Sequence, residues 1–342
     1  MHHPLRLTLD RAALQHNWRW LQERAGVPAG AAIKADGYGI GARETMRALH
    51  EAGCRTFFVS TYAEGDALGP IPGDSALVVL HGVGPDDVDA ALNFQARPIL
   101  NSVEQARRWK EIAPTRPCDV MVDTGMNRLG LPAEEMPALE GLEIEILHSH
   151  LACADEDSPM NRRQLEAFRE IAASVPARAY SLANSAGICL GAEYSFDLVR
   201  PGLSLYGGIP RREAHNHIRQ VARVEAQVVQ RRTVRAGESC GYGATFTAEA
   251  DTEAAIVNIG YADGYLRGFS TRGSAFAGEF ALPVIGRVSM DLVVFGCDAV
   301  PELKEGDWVE LDYDLETASE ASGLSQYELL TSLGDRFERV WR

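Results

Sequence analysis

Apolar and polar positions recur along this chain in short units of two kinds. Leu5-Arg6-Leu7-Thr8-Leu9 alternates with period two and predicts a strand. Asp10 then caps a helix that puts Leu14, Trp18 and Leu21 on one face and stops at Gly26. Ala31-Ala32-Ile33-Lys34 is an apolar run closed by a lysine. A glycine-rich turn, Ala35-Asp36-Gly37-Tyr38-Gly39-Ile40-Gly41, follows it, and then a helix with Ala42, Met46 and Leu49 on one face. Further strands are predicted at 56–60, 76–80, 98–100, 119–123, 144–148, 179–182 and 197–200, mostly separated by helical segments. Ser102-Val103-Glu104-Gln105 reads as a capping box, and residues 159–174 as a long amphipathic helix.

With residues 31–34 these make eight strands in about 200 residues, alternating with helices. That is the count of a (β/α)8 TIM barrel. A doubly wound open sheet is the alternative, weakened because no G-x-G-x-x-G follows an early strand. Beyond about residue 215 the pattern changes. Val224, Ala226 and Val228 alternate with polar residues, and strand-like runs at 253–259, 283–295 and 308–313 are separated by Gly and Asp. This predicts a smaller, mainly antiparallel β domain with a helix around 325–333. The expected division is a barrel at 1–215 and a C-terminal β domain at 216–342, with residues 3–9 open to pairing with the latter.

A length of 342 residues suits two domains. The net charge of −15 argues against nucleic acid and anionic membrane as partners. The N-terminal residues lack the apolar stretch of a secretory signal, and no run is long enough to span a membrane. Six cysteines without a C-x-x-C pair suggest free thiols rather than disulfides or zinc, and with them a cytoplasmic location.

Working residues of such barrels lie at the C-terminal ends of the strands. Here those ends carry Lys34 with Tyr38, Asp123 to Arg128, His148 with His150, Asn184 with Ser185, and Arg200 to Leu203. Lysine is rare in this chain, three residues against thirty arginines. At an apolar strand end it is placed to lose its proton and act as a nucleophile. Asn184-Ser185-Ala186-Gly187 opens a helix whose N–H groups suit a phosphate, and Gly202-Leu203 adds two more amides. An amine, a phosphate cradle and arginines describe a pyridoxal phosphate site. Each feature is common alone: Lys34 also reads as a solvated strand-end lysine, Ser185 as an N-cap, His150 as a satisfied core histidine.

From end to end the chain resembles the bacterial alanine racemase family. The matching segments are Ala32-Ile33-Lys34-Ala35-Asp36-Gly37-Tyr38-Gly39, Val122-Asp123-Thr124-Gly125-Met126-Asn127-Arg128-Leu129-Gly130, His150-Leu151-Ala152-Cys153-Ala154-Asp155 and Ala183-Asn184-Ser185-Ala186. They continue with Val199-Arg200-Pro201-Gly202-Leu203-Ser204-Leu205-Tyr206-Gly207, Gly241-Tyr242-Gly243-Ala244-Thr245-Phe246, Gly260-Tyr261-Ala262-Asp263-Gly264-Tyr265 and Gly286-Arg287-Val288-Ser289-Met290-Asp291. The resemblance implies that Lys34 carries pyridoxal phosphate on its amine, and that Tyr38, Asn184, Ser185, Gly202 and Leu203 surround the phosphate. It implies that Arg200 faces the ring nitrogen with His150 behind it, and that Arg128 meets the cofactor's phenolic oxygen and the substrate carboxylate. Tyr242 would be the second catalytic base and Met290 a substrate contact, both contributed by the partner of a head-to-tail homodimer with shared active sites. Asp155, Tyr261, Arg267 and Arg287 would line a substrate corridor. The implied activity is racemisation of L- and D-alanine, to supply D-alanine for peptidoglycan or to degrade it.

Two bases on opposite faces of Cα would remove and return the proton, and Lys34 and Tyr242 are different bases. Tyrosine alone is a weak base at neutral pH, so Tyr242 requires neighbouring positive charge or hydrogen bonds. An arginine at the ring nitrogen cannot hand over its proton as an acid would, which favours racemisation over side reactions.

The chain departs from the family at two places. Many members carry a carbamylated lysine where Met121 stands, and it holds the substrate arginine. Arg128 here is expected to be buried without that partner, so a chloride, another anion or an acidic side chain is expected beside it. Near the C-terminus Trp341 stands where a tyrosine commonly approaches the phosphate. Two other readings remain: a non-catalytic pyridoxal-phosphate-binding protein, and a racemase of another small amino acid such as serine. A fold-related decarboxylase is disfavoured by Arg200.

Overall fold

The computed structural model describes residues 2–342. They form two units, Leu14–Arg219 and Gln220–Arg342, the latter including residues 2–13. The alternating N-terminal segment forms strand β1 (Leu5–Leu9), with Leu5, Leu7 and Leu9 buried in the second unit.

In the first unit β2 (Ala31–Ala32), β3 (Thr56–Val59), β4 (Ala76–Val79), β5 (Arg97–Leu100), β6 (Cys118–Met121), β7 (Ile144–His148) and β8 (Ala179–Ser181) pair in sequence order, every pair parallel. Residues 197–201 close the circle. Arg200 N donates to Ala183 O at 2.9 Å on one side, while on the other Gly30 N donates to Val199 O and Ala32 N to Pro201 O, both at 2.9 Å. Val199 also bridges Ala29 in parallel. This last stave is a single bridge rather than a ladder, because Pro201 lacks an N–H to donate. The fold is a (β/α)8 barrel.

Local signals behave as their chemistry requires. Asp10 Oδ1 accepts from Ala13 N at 2.8 Å to start the helix Arg11–Ala25, and Gly26, with φ +69°, ends it. Ser102 Oγ accepts from Gln105 N, but Gln105 Oε1 turns to Asn101 N at 2.9 Å instead of closing the box on Ser102. Half the predicted capping box forms. The other half ties the helix Val103–Ile112 to the end of β5.

The second unit contains β9 (Ala222–Val234), β10 (Ser239–Cys240), β11 (Phe246–Thr247), β12 (Thr252–Val257), β13 (Ser274–Ala277), β14 (Phe280–Pro283), β15 (Val293–Gly296), β16 (Trp308–Leu311) and β17 (Glu338–Trp341). The long strand β9 pairs antiparallel with β1, β12 and β16, and β1 pairs parallel with β17, placing Trp341 opposite Leu9. Glu225 on β9 accepts from Arg6 at 2.6 and 2.9 Å and from Thr8 Oγ1 at 2.6 Å, which pins β1 in register. Two expectations change. The run 283–295 is not one strand but β14, a loop at 284–292 and β15, because Gly286 turns at φ +76°. A helix at Leu315–Ser322, capped by Asp314, also precedes the expected terminal helix, which spans Gln326–Thr331. Among the described residues no helix is long and apolar enough to cross a membrane. The six cysteines are free thiols.

Asp263 is fully buried, and its carboxylate accepts from Arg336 Nε at 2.6 Å, Arg336 Nη2 at 2.7 Å and Gly260 N at 3.0 Å. Arg336 is half exposed, so its loss leaves a buried carboxylate short of its main partner rather than wholly unpaired. Arg336→Ala is expected to lower stability to urea by roughly 2 kcal/mol. A midpoint and slope matching the unsubstituted chain would contradict the assignment.

Candidate active site

The barrel mouth is organised by the turn after β2. Ala35, Asp36 and Gly37 have φ/ψ near +52/+47°, +51/+50° and +62/+43°, and Tyr38 has φ +55°. This is a left-handed helical turn, in which each non-glycine residue costs about 1–2 kcal/mol. The surroundings hold it. Ala35 N donates to Glu64 Oε1 at 2.9 Å, Gly37 N to Ile33 O at 2.8 Å, and Ala42 N to Asp36 Oδ1 at 2.8 Å. The Tyr38 ring stacks on Tyr206 at 4.7 Å between centroids, and Tyr206 Oη donates to Ala32 O at 2.8 Å. The turn starts at Lys34, whose half-buried amine is held below its usual pKa by burial first and by Arg128 next, against the opposing pull of Glu64.

Across the mouth, Asn184 is the N-cap of the helix Ser185–Leu190, its Oδ1 accepting from Gly187 N at 2.9 Å. Asn184 thus takes the capping role that Ser185 also suited on sequence. The Ser185 hydroxyl accepts instead from Gly202 N at 3.0 Å and Ser204 N at 3.2 Å. These amides converge on one point, with Leu203 between them. A Cβ added at Gly202 would stand 2.3 Å from Tyr38 Oη, so only glycine leaves the tyrosine room.

Arg200 is buried and donates to Ser181 Oγ at 2.5 Å and Ser149 O at 2.6 Å, with His150 Nδ1 at 3.5 Å. Burial draws its pKa down to about 10, and Asp119 opposes the fall. His150 is pushed down to about 3 by burial first, then by Arg200, Arg128 and Lys34, so it stays neutral and accepts at Nδ1. Lys34, Arg128, Arg200 and His150 are thus close enough at one mouth to act on one another's charge. Asp123 Oδ1 gathers the N–H groups of Gly125, Met126 and Asn127 at 2.8, 2.9 and 3.2 Å, and the loop it ties leads into Arg128. Asp155 is exposed in the loop after β7, where Arg211 holds Ala154 O at 3.2 Å and Asp157 Oδ1 at 2.5 Å.

The second unit has its own cluster. Tyr242 is 68% exposed on a turn between Gly241 (φ +76°) and Gly243 (φ +74°). The Arg287 guanidinium packs against that turn: a Cβ on Gly243 would meet its Nη1 at 3.1 Å. Three residues on from Arg287, Met290 is 53% exposed and its carbonyl accepts from Ala262 N at 3.1 Å, beside Tyr261. Arg267 lies over the Tyr261 ring at 5.4 Å. Tyr242, Tyr261, Arg267, Arg287 and Met290 are therefore drawn together within this unit.

The family model for the N-terminal domain of alanine racemase matches residues 9–210, and that for the C-terminal domain matches residues 221–341. The chain belongs to the alanine racemase family. It is 41% identical to an alanine racemase of Rhizobium meliloti, over 98% of this chain and 96% of the relative. It is equally similar, at 41%, to a catabolic alanine racemase of Agrobacterium fabrum, over 98% and 91%. Among solved structures, the alanine racemase of Bartonella henselae with covalently bound pyridoxal phosphate superposes with a TM-score of 0.92 at 34% identity, covering 100% of both chains.

Within this alanine racemase family fold, Met121 is buried on β6, and Arg128 is exposed rather than buried. The expected cost of a buried, unpaired guanidinium does not arise, because the loop 124–130 carries Arg128 outward. Among the described residues no acidic side chain pairs with it. Sequence reasoning missed several residues that hold the site. Fully buried Gln164 accepts from Ala152 N at 2.8 Å and donates to His150 O at 2.9 Å and Thr124 Oγ1 at 3.2 Å. Its signal was available: a polar residue beside Leu165 on the buried face of the helix Pro159–Ser174. Asp119, also fully buried, was missed because a carboxylate inside a strand carries no motif, whereas His148, which it meets, was among the strand-end candidates.

Gly202→Ala is expected to leave the fold intact, since the φ of −130° at Gly202 lies outside the left-handed region, and to weaken pyridoxal phosphate binding about tenfold or more by displacing Tyr38. Fluorescence titration of the cofactor would show it, and unchanged affinity would refute the cradle. A second expectation concerns acid. His148 is pushed from 6.5 to about 4, chiefly by burial, so between these values the unfolded chain binds the extra proton. Stability is then fully present above about 6.5 and falls as pH drops toward 4. His148→Gln should flatten that slope in urea titrations repeated across the range.

Proposed function

We infer that this chain interconverts L- and D-alanine with pyridoxal phosphate, Lys34 and Tyr242 serving as bases on opposite faces of Cα. The observation that carries the reading is the convergence of Lys34, Arg128, Arg200 and His150 at one barrel mouth, beside the close approach of Tyr38 to Gly202. The residues fit the cofactor. Tyr38 Oη approaches Gly202 too closely for a Cβ, and the amides of Gly202 and Ser204 converge on the Ser185 hydroxyl, so two hydroxyls and two amides gather where they could take a phosphate. When bound, pyridoxal phosphate supplies an electron sink for the charge left when Cα loses its proton.

The side chains divide the remaining work. Lys34, with its amine held below the ordinary value, can hold the cofactor covalently and move a proton at Cα. Arg200 has only donors and faces the ring nitrogen without surrendering a proton. Neutral His150 steadies the Arg200 guanidinium from behind. Arg128, exposed and unpaired with any carboxylate, is free to take the substrate carboxylate, and a chloride or similar small anion is the natural neighbour beside Met121. Tyr242 and Met290 project from the second unit toward a second copy of the chain, which makes the working form a homodimer with shared sites. Asp155, Tyr261, Arg267 and Arg287 line the approach. The product D-alanine serves peptidoglycan synthesis, or the reaction serves its breakdown, in the cytoplasm.

Circular dichroism of an L-alanine solution tests the reaction. Decay of the signal to zero supports racemisation, and a persistent signal with a yellow protein would mean cofactor binding alone. Lys34→Ala should abolish both the absorption of the attached cofactor and turnover. Tyr242→Phe should cut proton removal from L-alanine by about 10²–10⁴-fold, the scale of a general base, while sparing exchange from D-alanine. Equal loss from both enantiomers would contradict the two-base assignment.

A further inference from the structure

Behind the mouth, five successive barrel staves each contribute one polar side chain to a belt, hydrogen-bonded from β5 to β7 and again from β8 to the closing stave. Arg97 opens β5, and its Nε donates to Asp119 Oδ1 on β6 at 3.0 Å. Asp119 Oδ2 lies 3.1 Å from His148 Nε2 on β7. His148 stands beside Ser181 of β8 in the parallel register, and Ser181 Oγ accepts from Arg200 Nη1 at 2.5 Å on the closing stave. Asp119 and His148 are wholly buried, and Arg97 is 21% exposed. The belt has one gap: His148 Nδ1 is buried and meets no donor.

Arg200 itself contacts only neutral acceptors: Ser181 Oγ, the carbonyls of Ser149 and Leu182, and His150 Nδ1. A buried guanidinium surrounded by neutral groups has lost its hydration without gaining a counter-charge. The carboxylate in the same barrel interior is Asp119, three staves away. Its field reaches Arg200, whose charged form it favours. With Nε2 donating to Asp119, His148 is a neutral spacer whose ring is held edge-on to Phe58 at 6.0 Å.

We propose that Asp119, clamped between Arg97 and His148, is the buried counter-ion of Arg200 and a positioning residue for the reaction, acting on the cofactor's ring nitrogen through Arg200 alone. The inference rests on the placement of Arg200 at that nitrogen. A different account would make Asp119 no more than the ion-pair partner of Arg97. The two accounts separate at Arg97. If Asp119 serves Arg200, removing Arg97 leaves the useful charge in place; if it serves only Arg97, removing either partner has the same effect.

The test uses the holoenzyme loaded with pyridoxal phosphate labelled with 15N in the ring, and reads the 15N chemical shift along with steady-state kinetics. Asp119→Asn is expected to move the ring 15N signal and to lower kcat about tenfold with little change in KM, the scale on which partners behind a contacting residue act. Arg97→Gln is expected to leave the 15N signal in place. If Asp119→Asn does not fold, the pair Asp119→Asn with Arg97→Gln removes both charges together and should show the same displaced signal. An unmoved signal in the Asp119 variants, or equal displacement in Arg97→Gln alone, overturns the proposal. Arg200→Lys is the control. If it leaves the signal unmoved, the placement of Arg200 fails and the proposal with it; if Arg200→Lys moves the signal and Asp119→Asn does not, the inference about Asp119 fails alone.

Discussion

A run of four left-handed residues directly after Lys34 is the constraint from which the barrel mouth is built. Ala35, Asp36 and Tyr38 together carry on the order of 3–6 kcal/mol of backbone strain that no isolated peptide would accept. Only a surrounding structure that fills every alternative can hold such a turn. Glu64 does so from the next helix, joining Ala35 N and Ser60 N at 2.9 and 2.6 Å. Asp36 folds back on Ala42, and Tyr206 clamps the Tyr38 ring. The turn reverses the chain within four residues. It thereby sets the amine of Lys34 and the hydroxyl of Tyr38 at one mouth, the second against Gly202.

The same economy of polar groups governs the barrel interior. Most (β/α)8 barrels fill that space with branched apolar side chains. Here the staves from β5 onward place Arg97, Asp119, His148, Ser181 and Arg200 there, and each must find partners inside the barrel. The result is stiffness where the chemistry requires it. Arg200 has several partners spread over β7, β8 and the segment beyond them, so its guanidinium plane has little freedom to turn. A softer interior would bury apolar area more cheaply but would leave the arginine to choose its own rotamer.

Legibility followed the range of the interactions. The eight staves, the helices at Arg11–Ala25, Ala42–Ala52 and Pro159–Ser174, and the long alternation in β9 were readable because period and capping are local. So were Lys34, Arg200, Gly202 and Tyr242, through their place at strand ends or in recognisable segments. The left-handed hand of the turn was not readable, since Ala35 has no local preference for it and is held in it by Glu64, 29 residues on. Nor was Asp119, whose partners lie 22 residues before it and 29 after it. The exposure of Arg128 was misjudged for a related reason: Asp123 collects three successive N–H groups and carries the loop outward, a geometry that side-chain identity alone does not reveal.

The second unit poses a different physical question, which its exposed residues answer. Burying an aromatic ring contributes about 1.5–3 kcal/mol, so a tyrosine left in water gives up stability its own unit was free to take. Tyr242 is left so, on a turn whose two flanking glycines have positive φ and fix the direction of the ring. Arg287 packs behind that turn, and Met290, also exposed, follows Arg287 on its loop. Amphipathic and apolar residues left uncovered together are the kind of surface a partner can cover. Lys34 presents the complementary case: an amine whose charge is already disfavoured by burial and by Arg128, at a mouth that Arg128 and Arg200 make positive. On the proposed reading, a second copy remedies what each unit lacks: the barrel of one supplies Lys34, and the β unit of the other supplies Tyr242.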